Sequence, residues 1–338
     1  MPRRPVPQSS AMRNQKSEIL PRLHGLAGLT LTAHRLVDTL LTGEHRSRHL
    51  GPGAEFHDYR PYSPGDDAAG IDWKRYARTD RLYLRRHRRE SDLTLLVLLD
   101  ISASMAYPAP ATPATPARSH PKSEIRNPKS KLTHARELAA ALVLIAARQG
   151  DRAGLALAGD GLVDHLPPGP GWPHAHRLCR AIEQADDPPG PGDLPRALRE
   201  LAGRLRAGTV LAVVSDLLDD PAACLDAFAR HRRGGPGRGR PAGGGGGGGG
   251  VIVLQVLSPA ELDIARLPPG PHRLRDPETG RTHAADPRQV AGAYARGISR
   301  HLAALASGCR QQHARYALAR TDRPAIDALR HVLRQALT

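Results

Sequence analysis

The chain alternates short apolar segments with longer amphipathic ones, and this alternation limits its fold more than any other feature. Three apolar runs, 93–99, 209–214 and 251–257, have the length and bounding residues of buried strands. Between them lie helical segments such as 132–149, whose apolar residues recur on one face. Alternating strands and helices are typical of a parallel sheet covered on both faces, so we predict an α/β fold.

Polar residues follow two of these predicted strands directly. Asp100, Ser102 and Ser104 form the pattern D-x-S-x-S after the first strand, and Asp216 follows the second. If the two strands lie side by side in a parallel sheet, both acids reach the same edge, where ligands bind in α/β proteins. Carboxylate and hydroxyl oxygens are the hard ligands that Mg²⁺ takes, usually together with several waters. The sequence therefore predicts a magnesium site, with helix capping as the alternative role for these residues.

Composition restricts the class of protein. Aromatic residues make up only 3% of the 338 residues, so the core must be aliphatic. The three cysteines are an odd and widely spaced set, which predicts no disulfide framework and fits a reducing cytosol. A net charge of +16 favours acidic partners, and no apolar run is long enough to span a membrane. We expect a cytoplasmic protein that can also lie peripherally at a membrane.

The chain divides into three regions by composition. Residues 1–19 are predicted to form a disordered leader, and residues 20–91 an N-terminal helix followed by a basic turn and β segment. Residues 92–338 are predicted to form the main domain. Two low-complexity insertions interrupt it: 107–130, which holds six prolines, and 232–250, which ends in eight consecutive glycines.

Several short sequence motifs occur in the order found in a known family. They are Gly65-Asp-Asp67, Ile71-Asp-Trp73, Ala77-Arg78, Asp100-Ile-Ser-Ala-Ser-Met105, Gly150-Asp-Arg-Ala-Gly-Leu155, Ser215-Asp216, Pro259-Ala-Glu261, Asp276-Pro-Glu-Thr-Gly280 and Thr321-Asp322. From about Gly43 to its C-terminus the chain resembles the bacterial family called domain of unknown function 58, which is related to von Willebrand factor A domains. The resemblance implies a Rossmann-like von Willebrand factor A domain, with a mostly parallel sheet and helices on both faces.

The resemblance also implies a metal-ion-dependent adhesion site. Its ligands here would be Asp100, Ser102, Ser104 and Asp216. Where family members tend to read Thr-Asp-Leu, this chain has Gly192-Asp193-Leu194, so a hydroxyl ligand is missing and Asp193 is the nearby oxygen donor. The implied Mg²⁺ site is therefore weakened or lost.

The function implied by the resemblance is that of a non-enzymatic protein-interaction module. In such a site, a partner's carboxylate completes the coordination of the cation. Family members are commonly encoded beside MoxR-type AAA+ ATPases, which makes such an ATPase the expected partner. The expected role is the assembly or maturation of protein complexes.

A second hypothesis is nucleic-acid binding by the basic segment 74–89. This segment carries eight Lys or Arg residues together with Tyr76 and Tyr83, a composition that can follow phosphates. Affinity of that kind would fall steeply with salt and would survive a chelator. A metal-dependent hydrolase is a third hypothesis, although no general base or nucleophile is evident beside the predicted ligands.

Overall fold

The computed structural model describes most of the predicted main domain and part of the N-terminal region. The described residues are 28–44, 59–61, 76, 83–85, 93–107, 130–185, 191–233 and 249–334. The predicted leader 1–19 and most of both insertions lie outside them. So does most of the basic segment 74–89.

The strands and helices alternate along the main domain. The strands are β1 Tyr59–Pro61, β2 Tyr83–Arg85, β3 Thr94–Asp100, β4 Arg152–Gly159, β5 Gly161–Gly169, β6 Val210–Ser215, β7 Val251–Leu257, β8 His272–Arg275, β9 Thr282–Ala285 and β10 Arg315–Arg320. The α-helices are α1 Gly28–Glu44, α2 Lys131–Gln149, α3 Gly171–Gln184, α4 Leu194–Ala202, α5 Pro221–Arg233, α6 Pro259–Leu262, α7 Pro287–Gln311 and α8 Ala325–Arg334.

Six strands form the central sheet in the order β10-β7-β6-β3-β4-β5. All neighbouring pairs are parallel except β4 and β5, which form an antiparallel hairpin at one edge. The predicted α/β class, with a mostly parallel sheet, is confirmed.

The sheet has a hydrophobic core on each face, and β3 contributes to both. Leu95, Val97 and Leu99 face the core that contains buried residues of α1, α2, α3 and α8. Leu96 and Leu98 face the other core, with α4, α5 and α7. This burial on both sides explains why the strand reads as a continuous apolar run instead of an alternating one.

Helix α1 covers the outer side of α2. Ala33, Val37 and Leu40 of α1 are buried in the same core as α2, so most of α2 is enclosed. The sequence predicted a helix over 20–41 that breaks near Gly43, whereas α1 continues to Glu44. The N-terminal helix is thus packed against the main domain.

The order in which strands are added to the sheet reverses at β3. From β3 the chain crosses through α2 to β4 on one side, and it later returns to place β6 on the other side of β3. Open α/β sheets bind ligands at such a topological switch point, at the carboxyl ends of the strands. In this chain the switch point lies between the ends of β3 and β6.

An antiparallel hairpin of β8 and β9, which the sequence analysis did not predict, follows α6. Among the described residues, the helices all lack the combination of length and hydropathy needed to cross a bilayer.

Candidate interaction site at the carboxyl edge of the sheet

The D-x-S-x-S residues fold into a compact loop at the end of β3. Asp100 is the last residue of β3 and is 4% exposed. Its Oδ1 accepts a hydrogen bond from the Ser102 backbone N–H at 2.9 Å. A short 3₁₀ helix, Ala103–Ala106, then turns the chain so that the Ser102 and Ser104 hydroxyl oxygens lie 3.2 Å apart. The three predicted oxygen ligands of this loop are therefore close together.

Ser215 connects the end of β6 to the end of β3. Its fully buried hydroxyl donates to Asp100 Oδ2 at 2.6 Å and accepts a hydrogen bond from the Leu217 N–H at 2.9 Å. Leu217 has a φ of 50°, a left-handed conformation that is uncommon for a residue with a side chain and is often found at functional sites. The sequence did not identify Ser215 as a site residue, although it directly precedes Asp216.

Asp216 directly follows Ser215 in the chain. Unlike the donors described for Asp100, its partner is positively charged. Its Oδ2 accepts a hydrogen bond at 2.7 Å from Lys131 Nζ, and the Lys131 side chain is completely buried. Lys131 also donates to Glu261 Oε1 at 2.5 Å. Burial alone would lower the pKa of Lys131, but the charges of Asp216 and Glu261 outweigh it and raise the pKa. The ammonium group therefore stays charged and forms ion pairs with both carboxylates.

Lys131 and Glu261 reach the site because each lies in the first turn of a helix that starts at this edge. Ser130 caps α2 by accepting a hydrogen bond from the Thr133 N–H, which places Lys131 directly inside the helix. Ser258 and Glu261 form a capping box on α6, and Glu261 uses its other carboxylate oxygen for Lys131. Lys131 was not predicted as a site residue, although a lysine at the start of a long apolar helix is a detectable signal.

Asp193, the proposed substitute for the missing hydroxyl ligand, is a helix cap. Its Oδ1 accepts a hydrogen bond from the Arg196 N–H at 2.8 Å, so the capping role applies to this residue. Gly192 lies against the D-x-S-x-S loop: a Cβ atom here would be 2.7 Å from the Ser102 Cβ. A side chain at this position therefore requires the loop to move, and a ligand role of Asp193 stays a prediction.

Glu278, in the turn between β8 and β9, also lies at this site. A Cβ atom added to Gly192 would lie 3.3 Å from Glu278 Oε1, and interactions with the Ser104 hydroxyl and the Gly192 backbone favour the charged form of the Glu278 carboxyl group. Burial raises the pKa of Glu278, and the charge of Asp216 adds to that effect. The sequence analysis did not identify this residue, although its word Asp276-Pro-Glu-Thr-Gly280 was part of the family resemblance.

Negative charge dominates this edge of the sheet. Burial raises the pKa of Asp219 to about 7, and the charges of Asp100, Asp216, Glu278 and Asp193 contribute to the rise. Burial likewise raises the pKa of Asp100, together with the charge of Asp216. We call the group Asp100, Ser102, Ser104, Ser215, Asp216 and Glu278 the carboxyl-edge site.

The oxygen donors of the carboxyl-edge site suit a hard divalent cation. Within the described part of the chain, no three His, Cys, Asp or Glu side chains are arranged to hold a metal. A cation here would therefore depend on Asp100, the hydroxyls of Ser102 and Ser104, and water. Such a ligand set fits Mg²⁺, which usually keeps several waters and takes one or two carboxylates.

The second functional hypothesis depends on residues that the structure hardly describes. Within the basic segment 74–89, only Tyr76 and the backbone of 83–85 are described. Nucleic-acid binding by this segment therefore stays a prediction.

The family model described as "Protein of unknown function DUF58" matches residues 58–304. The uncharacterized protein Rv1480 of Mycobacterium tuberculosis is 27% identical over 303 residues, which cover 88% of this chain and 84% of that protein.

Solved structures with similarity to this chain include two bacterial proteins. BatB from Bacteroides thetaiotaomicron aligns with a TM-score of 0.43 and 16% identity, over 73% of this chain and 100% of that chain. A von Willebrand factor type A protein from Catenulispora acidiphila aligns with a TM-score of 0.32 and 13% identity, over 52% of this chain and 34% of the other.

Proposed function

This chain belongs to the DUF58 family, and we propose that it is a non-enzymatic protein-interaction module. In this proposal, the carboxyl-edge site binds an acidic side chain of a partner protein through a divalent cation such as Mg²⁺. The family is described only as of unknown function, so the proposal depends on the chemistry of the site itself.

The observation that carries the proposal is the environment of Asp100. This carboxylate is buried at the topological switch point of the sheet, and the hydrogen bonds described for it come from neutral donors, the Ser215 hydroxyl and the Ser102 N–H. A buried carboxylate is costly unless a positive charge compensates it. Two hydroxyls beside it supply the neutral oxygens that Mg²⁺ accepts.

The residues of the site have different roles toward the cation. Asp100, Ser102 and Ser104 would hold it directly, and Ser215 fixes the orientation of Asp100. Asp216 is already paired with Lys131 and contributes negative charge, as does Asp193 while it caps α4. A bound cation supplies a positive centre that attracts a carboxylate from outside the chain.

The partner that fits this chemistry presents an acidic side chain at its surface. The family resemblance supports a MoxR-type AAA+ ATPase as that partner. Joint action of an ATPase and an interaction module would serve the assembly or maturation of protein complexes.

Binding of a purified MoxR-type ATPase to the immobilised full chain tests the proposal. The ATPase needs its own Mg²⁺ with nucleotide, so the variant Asp100→Asn is a cleaner probe than a chelator. Asp38→Asn is the matched control, because Asp38 pairs with Arg148 in the last turn of α2, at the opposite edge of the sheet.

We expect Asp100→Asn to weaken ATPase binding by roughly tenfold or more, the effect of removing one partner of a buried charged contact at an interface. Asp38→Asn should bind like the wild type, since its ion pair is exposed and weak. Equal binding by all three proteins would show that the carboxyl-edge site is not the interface.

A further inference from the structure

The β8–β9 hairpin holds its turn in a fixed shape. The Asp276 Oδ1 accepts a hydrogen bond from the Glu278 N–H at 2.9 Å, and the Asp276 carbonyl accepts one from the Gly280 N–H at 2.9 Å. The Asp276 N–H in turn donates to the Arg281 carbonyl at 2.8 Å. These bonds lie within the hairpin, so they fix the position of Glu278 relative to β8 and β9.

Glu278 connects this hairpin to the carboxyl-edge site. Most residues of β8 and β9 are exposed or only partly buried, as expected of a hairpin that packs weakly on the domain. The Glu278 carboxylate nevertheless reaches the carboxyl-edge site, where it lies beside Gly192 and interacts with the Ser104 hydroxyl. The hairpin therefore places an acidic side chain directly on a predicted ligand of the cation.

Gly192 makes room for this carboxylate. A Cβ atom on Gly192 would lie 3.3 Å from Glu278 Oε1, which is tighter than ordinary van der Waals contact, and 2.7 Å from the Ser102 Cβ. The position that lacks a hydroxyl ligand is thus the position that admits a carboxylate from the same chain.

We infer that Glu278 is an internal carboxylate ligand of the carboxyl-edge site and occupies the place that a partner's acidic side chain would take. The inference rests on the proposed function. Its consequence is that a partner must displace the hairpin before its own carboxylate can bind Ser104 and the cation.

Binding of Mn²⁺ alone, followed by electron paramagnetic resonance of the free ion, tests the ligand role. Glu278→Ala should weaken Mn²⁺ binding by roughly tenfold, a typical loss when a group that supports a metal site is removed. Acetate should restore the affinity in Glu278→Ala, because the small side chain leaves space for a carboxylate. Acetate should not restore the Mn²⁺ affinity of Glu278→Gln, because the amide fills that space. It should leave the Mn²⁺ affinity of the wild type unchanged.

Two results separate the inference from the proposed function. If Mn²⁺ binds the wild type and Glu278→Ala equally, acetate has no effect and Asp100→Asn abolishes binding, the inference is overturned and the cation site stands. If the wild type shows no Mn²⁺ binding that depends on Asp100, the cation part of the proposed function is overturned.

If the wild type shows no such Mn²⁺ binding, hydrogen exchange of the Gly192 amide still tests whether the Glu278 side chain lies in the site. Removal of the carboxylate in Glu278→Ala should speed exchange of this amide and of the hairpin turn 276–280, while the control Asp38→Ala changes neither. Unchanged exchange at Gly192 would show that Glu278 is not seated in the site, and the inference would be overturned.

Discussion

Two adjacent strands of the sheet each lead into a buried carboxylate, and the two carboxylates have different partners. Asp100 at the end of β3 is 4% exposed and Asp216 after β6 is 3% exposed, so burial does not distinguish them. Asp216 accepts a hydrogen bond from the Lys131 ammonium, whereas the donors described for Asp100 are a hydroxyl and a backbone N–H. In the proposed function, Asp216 is mainly structural and Asp100 is the carboxylate that takes an external positive charge.

The difference arises from the elements that surround each strand end. Lys131 is the first residue of α2, and Glu261 lies in the first turn of α6. Both helices begin at the carboxyl edge beside Asp216. Asp100 is enclosed by its own loop and by Ser215 of the neighbouring strand. Neutral donors orient Asp100 without compensating its charge.

Removal of the ammonium group should have the largest effect on folding. Lys131→Met leaves Asp216 and Glu261 without their buried partner, and breaking a buried ion pair costs about 3–5 kcal/mol of unfolding free energy. Denaturant unfolding measures this loss. Arg148→Met is the control, because its pair with Asp38 is exposed and should contribute less than about 1 kcal/mol. Equal losses in the two variants would contradict the structural role of the Lys131 pair.

Ser215→Ala should have the next largest effect, because it removes the hydroxyl that orients Asp100. A hydrogen bond to a charged group contributes about 1.5–3 kcal/mol, and the loss of a supporting bond lowers metal affinity roughly 10-fold or more. Thermal unfolding and Mn²⁺ titration measure the two effects. Ser307→Ala, which alters an exposed hydroxyl on α7, should change stability by no more than about 0.5 kcal/mol. A Ser215→Ala protein with wild-type stability and Mn²⁺ affinity would refute this positioning role.

Gly192→Ala should have a smaller effect on stability, through the crowding of Ser102. The added Cβ would be 2.7 Å from the Ser102 Cβ, so the loop must shift, at a cost of about 1–3 kcal/mol. The matched control is Gly297→Ala in α7, where a Cβ meets no atom within 4 Å and helix propensity predicts a gain of up to about 1 kcal/mol. Unfolding midpoints that move in the same direction for both variants would argue against close packing at Gly192.

Most of the central fold could be predicted because apolar length and periodicity determine it. The run 93–99 corresponds to β3, and the run 251–257 coincides with β7. Both strands are buried on two faces, so their sequences are continuously apolar. The β8–β9 hairpin could not be predicted in this way, because its strands His272–Arg275 and Thr282–Ala285 are largely exposed and lack an apolar repeat.

The site was predictable only as far as it lies on the strands. Asp100 and Asp216 follow apolar runs, and the topology of a parallel sheet brings such residues to one edge. Lys131 and Glu278 come from segments 31 and 178 residues after Asp100. The start of an apolar helix marks Lys131 as unusual but does not show which strand ends it contacts, because the contacts of both residues depend on the packing of α2 and of the hairpin. Sequence therefore predicted Asp100 and Asp216 but neither Glu278 nor the ammonium group that distinguishes the two aspartates.

The most direct test of this distinction is Mn²⁺ titration of Asp100→Asn and Asp216→Asn, side by side with the wild type. We expect Asp100→Asn to lose Mn²⁺ affinity by roughly tenfold or more, while Asp216→Asn keeps it within about threefold, because the Asp216 carboxylate is already engaged by Lys131. Equal losses in the two variants, or a larger loss in Asp216→Asn, would contradict the assignment of Asp100 as the carboxylate that binds the cation.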